Sequence, residues 1–195
     1  MIPTFKRMLN TGILTEPQPA PHAPQVASLQ QALWKILGRA LCIRHVDAGS
    51  CNGCELEIHA LNNPYYNLEG DGIKFVASPR HADMLLVTGP VSVNMEEALR
   101  RTYDAIPNPK LVVALGDCAT CGGIFAPTPD AVISTAAERS GETPAFVFPL
   151  APSTIPNYAT RGSVSNIIPV DHLIAGCPPT PATILAGILE ALTTR

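Results

Sequence analysis

The chain has no run approaching eighteen consecutive apolar residues, so no transmembrane helix is expected. It has no basic excess either, with 13 Lys and Arg against 16 Asp and Glu and a net charge of −3. That balance gives neither the electrostatic footprint of a nucleic-acid binder nor a polybasic membrane patch. Lys6 and Arg7 are followed by no apolar segment, so a secretory signal is not expected. There is no nucleophile elbow, no phosphate-binding Walker loop and no dinucleotide fingerprint. Gly70-Asp71-Gly72 precedes a strand pattern rather than a helix and reads as a turn. A stand-alone nucleotide enzyme is thereby disfavoured. Charged residues are scarce at 15% while hydrophobic ones make up 46%, which suits a buried core and excludes wholesale disorder. At 195 residues without an internal repeat, one domain is expected, with room for an arm.

Proline and cysteine are plentiful by contrast. The 20 prolines are about twice the average share. Residues 1–27 carry Pro3, Pro17, Pro19, Pro21 and Pro24 without periodicity, and read as an extended N-terminal arm before a single α/β domain over 28–195. Ser28 is placed to cap a helix running to about Leu41, with Leu29, Leu33, Ile36 and Leu37 on one face. That helix packs on its own domain or docks a partner. Short apolar runs at 41–47, 73–77, 84–88 and 111–115 suit parallel strands buried on both faces. Helical patterns intervene at about 52–62 and at 94–106, where Met95, Ala98, Leu99, Thr102 and Ile106 share a face. A last helix is expected from Thr180–Pro181 to about Leu192. The stretch from Pro127 to Pro169 is proline-rich and irregular, with room for one helix near 130–138. Strand–helix alternation predicts a mostly parallel sheet with right-handed crossovers.

Of the six cysteines, Cys42 lies inside the run Leu41-Cys42-Ile43 and reads as a structural thiol. The other five sit among glycine and proline: Gly49-Ser50-Cys51-Asn52-Gly53-Cys54, Gly116-Asp117-Cys118-Ala119-Thr120-Cys121-Gly122-Gly123 and Gly176-Cys177-Pro178-Pro179. In a reducing compartment such residues serve as metal ligands more often than as disulfides. Each group follows an expected strand, so all three fall at the carboxyl edge of one sheet, where ligands of open α/β folds bind. The pairs Cys51/Cys54 and Cys118/Cys121 formally satisfy a structural zinc site. The crowding glycines suit a bulkier inorganic group approached closely by backbone, and Cys177-Pro178 is a context found at iron–sulfur ligands. A [4Fe-4S] cluster is therefore favoured over zinc.

These three motifs in order resemble the family that joins [NiFe]-hydrogenase small subunits to the cluster-bearing B subunit (20 kDa) of respiratory complex I. Residues from His45 to Val91, with Glu55-Leu56-Glu57-Ile58-His59-Ala60-Leu61-Asn62-Asn63-Pro64, are more specifically similar to the small subunit of formate hydrogenlyase and other energy-converting hydrogenases. The resemblance covers about residues 40–192. It implies a flavodoxin-like α/β fold with helices on both faces and one [4Fe-4S] cluster at the carboxyl edge, held by Cys51, Cys54, Cys118 and Cys177. Complex I members place their first two cysteines side by side, so the spacing of Cys51 and Cys54 is the hydrogenase-type arrangement. Cys121 departs from the family, which carries another residue before the double glycine, and is expected to be an inert neighbour of the cluster. The resemblance further implies an electron relay at the cytoplasmic side of a membrane complex. Its partners would be a large subunit bearing nickel, a ferredoxin-like subunit and integral membrane subunits. A quinone-reducing complex I-like assembly is the alternative, and a zinc module the second. Glu57 is a candidate for tuning the cluster or relaying protons, and His59 reads as an interface histidine. Asp117 is expected to cap the turn it begins, and Arg80 and His81 are candidates for facing the large subunit or a quinone-like pocket.

Overall fold

The computed structural model describes Gln31, Lys35, 37–125 and 160–194. The arm over 1–27, most of the helix expected from Ser28, and residues 126–159, which hold most of the irregular stretch expected from Pro127 to Pro169 and its helix near 130–138, lie outside the described residues. Gln31, Lys35 and Leu37 are helical, and Leu37 packs against the core. The helix stops short of the expected Leu41 because Gly38 takes φ +62°, a left-handed conformation that closes helices.

The apolar runs become the strands β1 (Leu41–Asp47), β2 (Ile73–Phe75), β3 (Met84–Thr88) and β4 (Leu111–Leu115), and β5 (His172–Ile174) completes the set. They form a five-stranded, wholly parallel sheet in the order β2-β1-β3-β4-β5. Every residue of β3 and β4 is buried, as continuous apolar runs require when both faces are covered. β2 is shorter than the expected 73–77. Its pairing ends where the Val76 amide donates to the Ile43 carbonyl (2.9 Å), and the chain then turns through Pro79–His81.

The helices are α1 (Gly53–Leu61), α2 (Val93–Ala105), the short α3 (Asp117–Cys121) and α4 (Pro181–Thr193). α1 and α4 cover one face, where Ile58, Leu61, Ile184 and Ile188 pack on Leu41, Ile43, Leu86 and Val113. α2, α3 and the turn Val164–Asn166 cover the other, where Leu99, Ala119 and Val164 meet Val46, Leu85, Val87 and Val112. On α2 the packed stripe is Met95, Leu99 and Tyr103, a run at i and i+4, and Ala98 lies one position off it and is exposed. α4 begins with Thr180 accepting a hydrogen bond from the Thr183 amide (3.3 Å) and Pro181 in the first turn. No helix among the described residues is long and apolar enough to cross a membrane.

Leu86 is fully buried at the centre of β3. Leu86→Ala is expected to cost about 2–5 kcal/mol of unfolding free energy in chemical denaturation, because the packed layers on either side collapse only partly into the hole.

A candidate metal centre at the carboxyl edge of the sheet

Because all strands run the same way, the turns leaving β1, β4 and β5 open on one edge. Cys51 and Cys54 follow β1 at the start of α1, Cys118 lies in α3 directly after β4, and Cys177 follows β5. All are free thiols; Cys51 and Cys177 are exposed, and Cys54 and Cys118 are half-buried. Burial pushes the Cys54 thiol up from 9.0 to about 12, helped by Glu55 and then by Cys118, Cys177 and Cys51. Burial likewise raises Cys118 to about 11, with Cys177 and Cys51 the next causes. Cys177 is raised by burial and then by Asp117 and Cys51. Cys54, Cys118 and Cys177 thus resist taking on negative charge beside the neighbouring thiols.

Glycine backbone keeps the space around the sulfurs open. A Cβ on Gly116 would stand 2.6 Å from Cys54 Sγ, and one on Gly123 2.6 Å from Cys118 Sγ. Both glycines have positive φ, +87° and +55°, which a side chain rarely tolerates. Among the described residues, no three His, Cys, Asp or Glu side chains converge on a point where one metal ion would be held. An iron–sulfur cube is gripped differently, by thiolates spread around a bulky body. Four thiols from three turns, with room cleared by glycine, fit that group. Cys121 is exposed, and its thiol donates to the Asp117 carbonyl (3.1 Å).

Two carboxylates hold the first cysteine loop. Asp47 Oδ1 accepts from the amides of Gly49 (2.8 Å) and Ser50 (2.7 Å). Glu55 Oε2 accepts from the Ser50 hydroxyl (2.6 Å), whose oxygen in turn accepts from the Asn52 amide (3.1 Å). Glu55 is buried, whereas Glu57 is only half-buried, so the carboxylate next to the thiols is one the sequence reading passed over. The available signal was its spacing, since Glu55, Ile58 and Leu61 form the buried stripe of α1. His45 lies 3.7 Å from Glu55 Oε1, and its Nε2 meets Thr88 Oγ1 at 2.9 Å. Burial pulls His45 below the ordinary histidine value and outweighs the opposing carboxylates Glu55 and Asp47, so the ring is neutral at pH 7 and the contact is not an ion pair.

Arg44, His45, Glu55, Ile58, His59 and Asn62 border a cleft of about 330 Å³ beside this loop. Arg44 Nε and Glu55 Oε1 are buried there without hydrogen bonds, a donor and an acceptor suited to ordered water. His59 is exposed at this cleft. Arg80 and His81 are exposed on the turn leading into the amino end of β3, and the structure does not bring them to the thiols. Asp117 reaches beyond its own turn, since Oδ1 accepts from the Gly176 amide at 2.7 Å.

Residues 51–191 match the protein family described as NADH ubiquinone oxidoreductase, 20 Kd subunit. The chain is 41% identical over 160 residues to the "Probable membrane-bound hydrogenase subunit mbhJ" of Pyrococcus furiosus, covering 82% of this chain and 78% of that one. It is 36% identical over 176 residues to formate hydrogenlyase subunit 7 of Escherichia coli, covering 90% of this chain but only 58% of the relative. Among solved structures it is similar to a chain of the membrane-bound sulfane sulfur reductase, an archaeal respiratory membrane complex, with a TM-score of 0.57, 27% identity and coverage of 86% and 74%.

With the thiols protonated, the folded cluster-free chain binds these protons more tightly than the unfolded chain does. The contribution of Cys54 to stability is fully present below pH 9.0 and is lost as pH rises toward about 12. Thermal unfolding of cluster-free protein across that range is expected to show a decline that Cys54→Ser shallows. An identical profile for the two would mean that Cys54 does not hold its proton.

Proposed function

The chain belongs to the NADH ubiquinone oxidoreductase 20 kDa subunit family, and on that premise we propose that it is the electron-transfer subunit of a membrane-bound [NiFe]-hydrogenase complex. Cys51, Cys54, Cys118 and Cys177 hold one [4Fe-4S] cluster proximal to the nickel site of a large subunit. The observation that carries this reading is that three separate strand–helix turns bring four free thiols to one sheet edge, around space kept open by Gly116 and Gly123. A bound [4Fe-4S] cluster supplies one-electron transfer at a potential set by burial and by hydrogen bonds to sulfur.

The residues of the chain supply the rest. Ligation requires thiolates, so Cys54, Cys118 and Cys177 must release their protons on loading, and loading is favoured by rising pH. Asp47 and Glu55 pin the loop that presents Cys51 and Cys54. Exposed Leu56 (61%) and Ile124 (70%) follow Cys54 by two residues and Cys118 by six, and covering them by a partner would also shield the cluster from water. We assign the covering to the large subunit, with a ferredoxin-like subunit passing electrons onward and integral membrane subunits anchoring the assembly from its cytoplasmic side. The hydrogenase relatives and the hydrogenase-type spacing of Cys51 and Cys54 support this choice. Likeness to a sulfane sulfur reductase makes nickel the deciding element.

The test is metal analysis and low-temperature EPR of the complex purified anaerobically through this chain. The expected result is nickel, with a reduced-cluster signal that Cys177→Ser abolishes and Cys121→Ser leaves in place. Zinc bound to this chain without a cluster signal would sink the iron–sulfur reading. A cluster without nickel would sink the hydrogenase assignment and leave a quinone- or sulfur-reducing complex.

A further inference from the structure

Three aspartates in this fold make the same two-bond clasp across neighbouring strands. The Asp83 amide donates to the Cys42 carbonyl (2.8 Å) while its Oδ2 accepts from the Cys42 amide (3.2 Å), tying β3 to β1 at their amino ends. The Asp171 amide donates to the Val112 carbonyl (2.9 Å) and its Oδ2 accepts from the Val112 amide (2.7 Å), tying β5 to β4 at their amino ends. The Asp117 amide donates to the Gly176 carbonyl (3.0 Å) and its Oδ1 accepts from the Gly176 amide (2.7 Å). This third clasp joins the same two strands as the second, at the opposite end.

A clasp of this kind answers a local need. Where a parallel ladder runs out, the last amides lose their partners, and a short carboxylate replaces the missing carbonyl with a stronger, charge-assisted acceptor. At the amino ends nothing but the sheet depends on it. At the carboxyl edge Asp117 immediately precedes Cys118, and Gly176 immediately precedes Cys177. Strand pairing ends at Leu115 and Ile174, and the Gly116 amide adds one bond to the Ile174 carbonyl (2.7 Å). Beyond that point the Asp117–Gly176 clasp carries the register. Asp117 is 4% exposed, so its geometry is set by packing rather than by solvent.

We propose that Asp117 is a positioning residue for the cluster, its carboxylate holding the Gly176 amide so that Cys118 and Cys177 stay at the separation one [4Fe-4S] body spans. The inference rests on the reading of those two cysteines as ligands. Without the carboxylate, the Gly176 amide loses its partner and the exposed Cys177 turn is held to the α3 turn only by the main-chain bond from the Asp117 amide to the Gly176 carbonyl. Asparagine at this position keeps an oxygen acceptor of the same reach.

The experiment compares four forms of the anaerobically purified complex: wild type, Asp117→Ala, Asp117→Asn and Asp171→Ala. Asp171 is the control, because its clasp stabilises the same strand pair at the end away from the thiols. Iron release to a chelator is followed over time, and the reduced-cluster EPR signal is recorded for each. Removing the strap in Asp117→Ala is expected to speed iron loss roughly 10- to 100-fold and to broaden the signal, while Asp117→Asn stays near wild type. Asp171→Ala is expected to lower the unfolding temperature without faster iron loss. Wild-type iron retention in Asp117→Ala would overturn the proposal. So would equally fast loss in Asp171→Ala, which makes the effect one of general loosening, or equally fast loss in Asp117→Asn, which makes it one of charge. Absence of iron from the wild-type complex would instead strike the cluster reading itself and remove the basis of this one.

Discussion

The shared direction of the five strands is the constraint on which the rest of the molecule depends. A parallel strand must be left at one edge of the sheet and re-entered at the other, so each crossover begins at the same edge. The turns after β1, β4 and β5 are far apart in the chain, yet Gly116 after β4 lies against both Cys54 and Gly176. The buried runs of β3 and β4 hold this geometry through apolar packing on both faces. The cysteine turns therefore inherit their placement from the core and contribute little to it.

That placement has an electrostatic consequence. Burial resists ionisation of the Cys54 and Cys118 thiols, and the neighbouring thiols add to that resistance. Nearby Glu55 and Asp117 add to it. Cys54, Cys118 and Cys177 accordingly favour their protonated form, and positive charge brought in among the sulfurs would reverse that balance. Glycine at 116 and 123 leaves room for a body carrying that charge. Under the proposed function, loading of the site and cover by partners would both act on these same thiols.

The carboxylates around the site do mechanical work with hydrogen bonds. Asp47 and Glu55 fix the loop before α1, and Asp117 joins the other two turns. Neutral His45, held by Thr88, backs Glu55 without neutralising it. Each of these contacts is made by a residue one to six positions from a cysteine, so the thiols are supported by their own neighbours in sequence as well as by the sheet.

Periodicity and punctuation alone determined much of this. The runs at 84–88 and 111–115 were legible as strands to the residue, because a strand buried on both faces must be continuously apolar, and 41–47 was legible too although Arg44, His45 and Asp47 interrupt it and lie less buried. Thr180 and Pro181 announced α4, and cysteine spacing among glycines announced three turns that belong together. The shortness of β2 and the exposure of Ala98 were not legible, since each depends on what packs alongside, whereas the end of the first helix had a local signal in Gly38. Glu55 shares the spacing of Ile58 and Leu61, but that this stripe of α1 is the buried one is decided by the surface it packs on. Local sequence determines which backbone conformations are affordable and where the chain turns. Only the tertiary structure decided that the Asp117 carboxylate would meet the Gly176 amide 59 residues away, because that contact exists only once β5 has paired with β4.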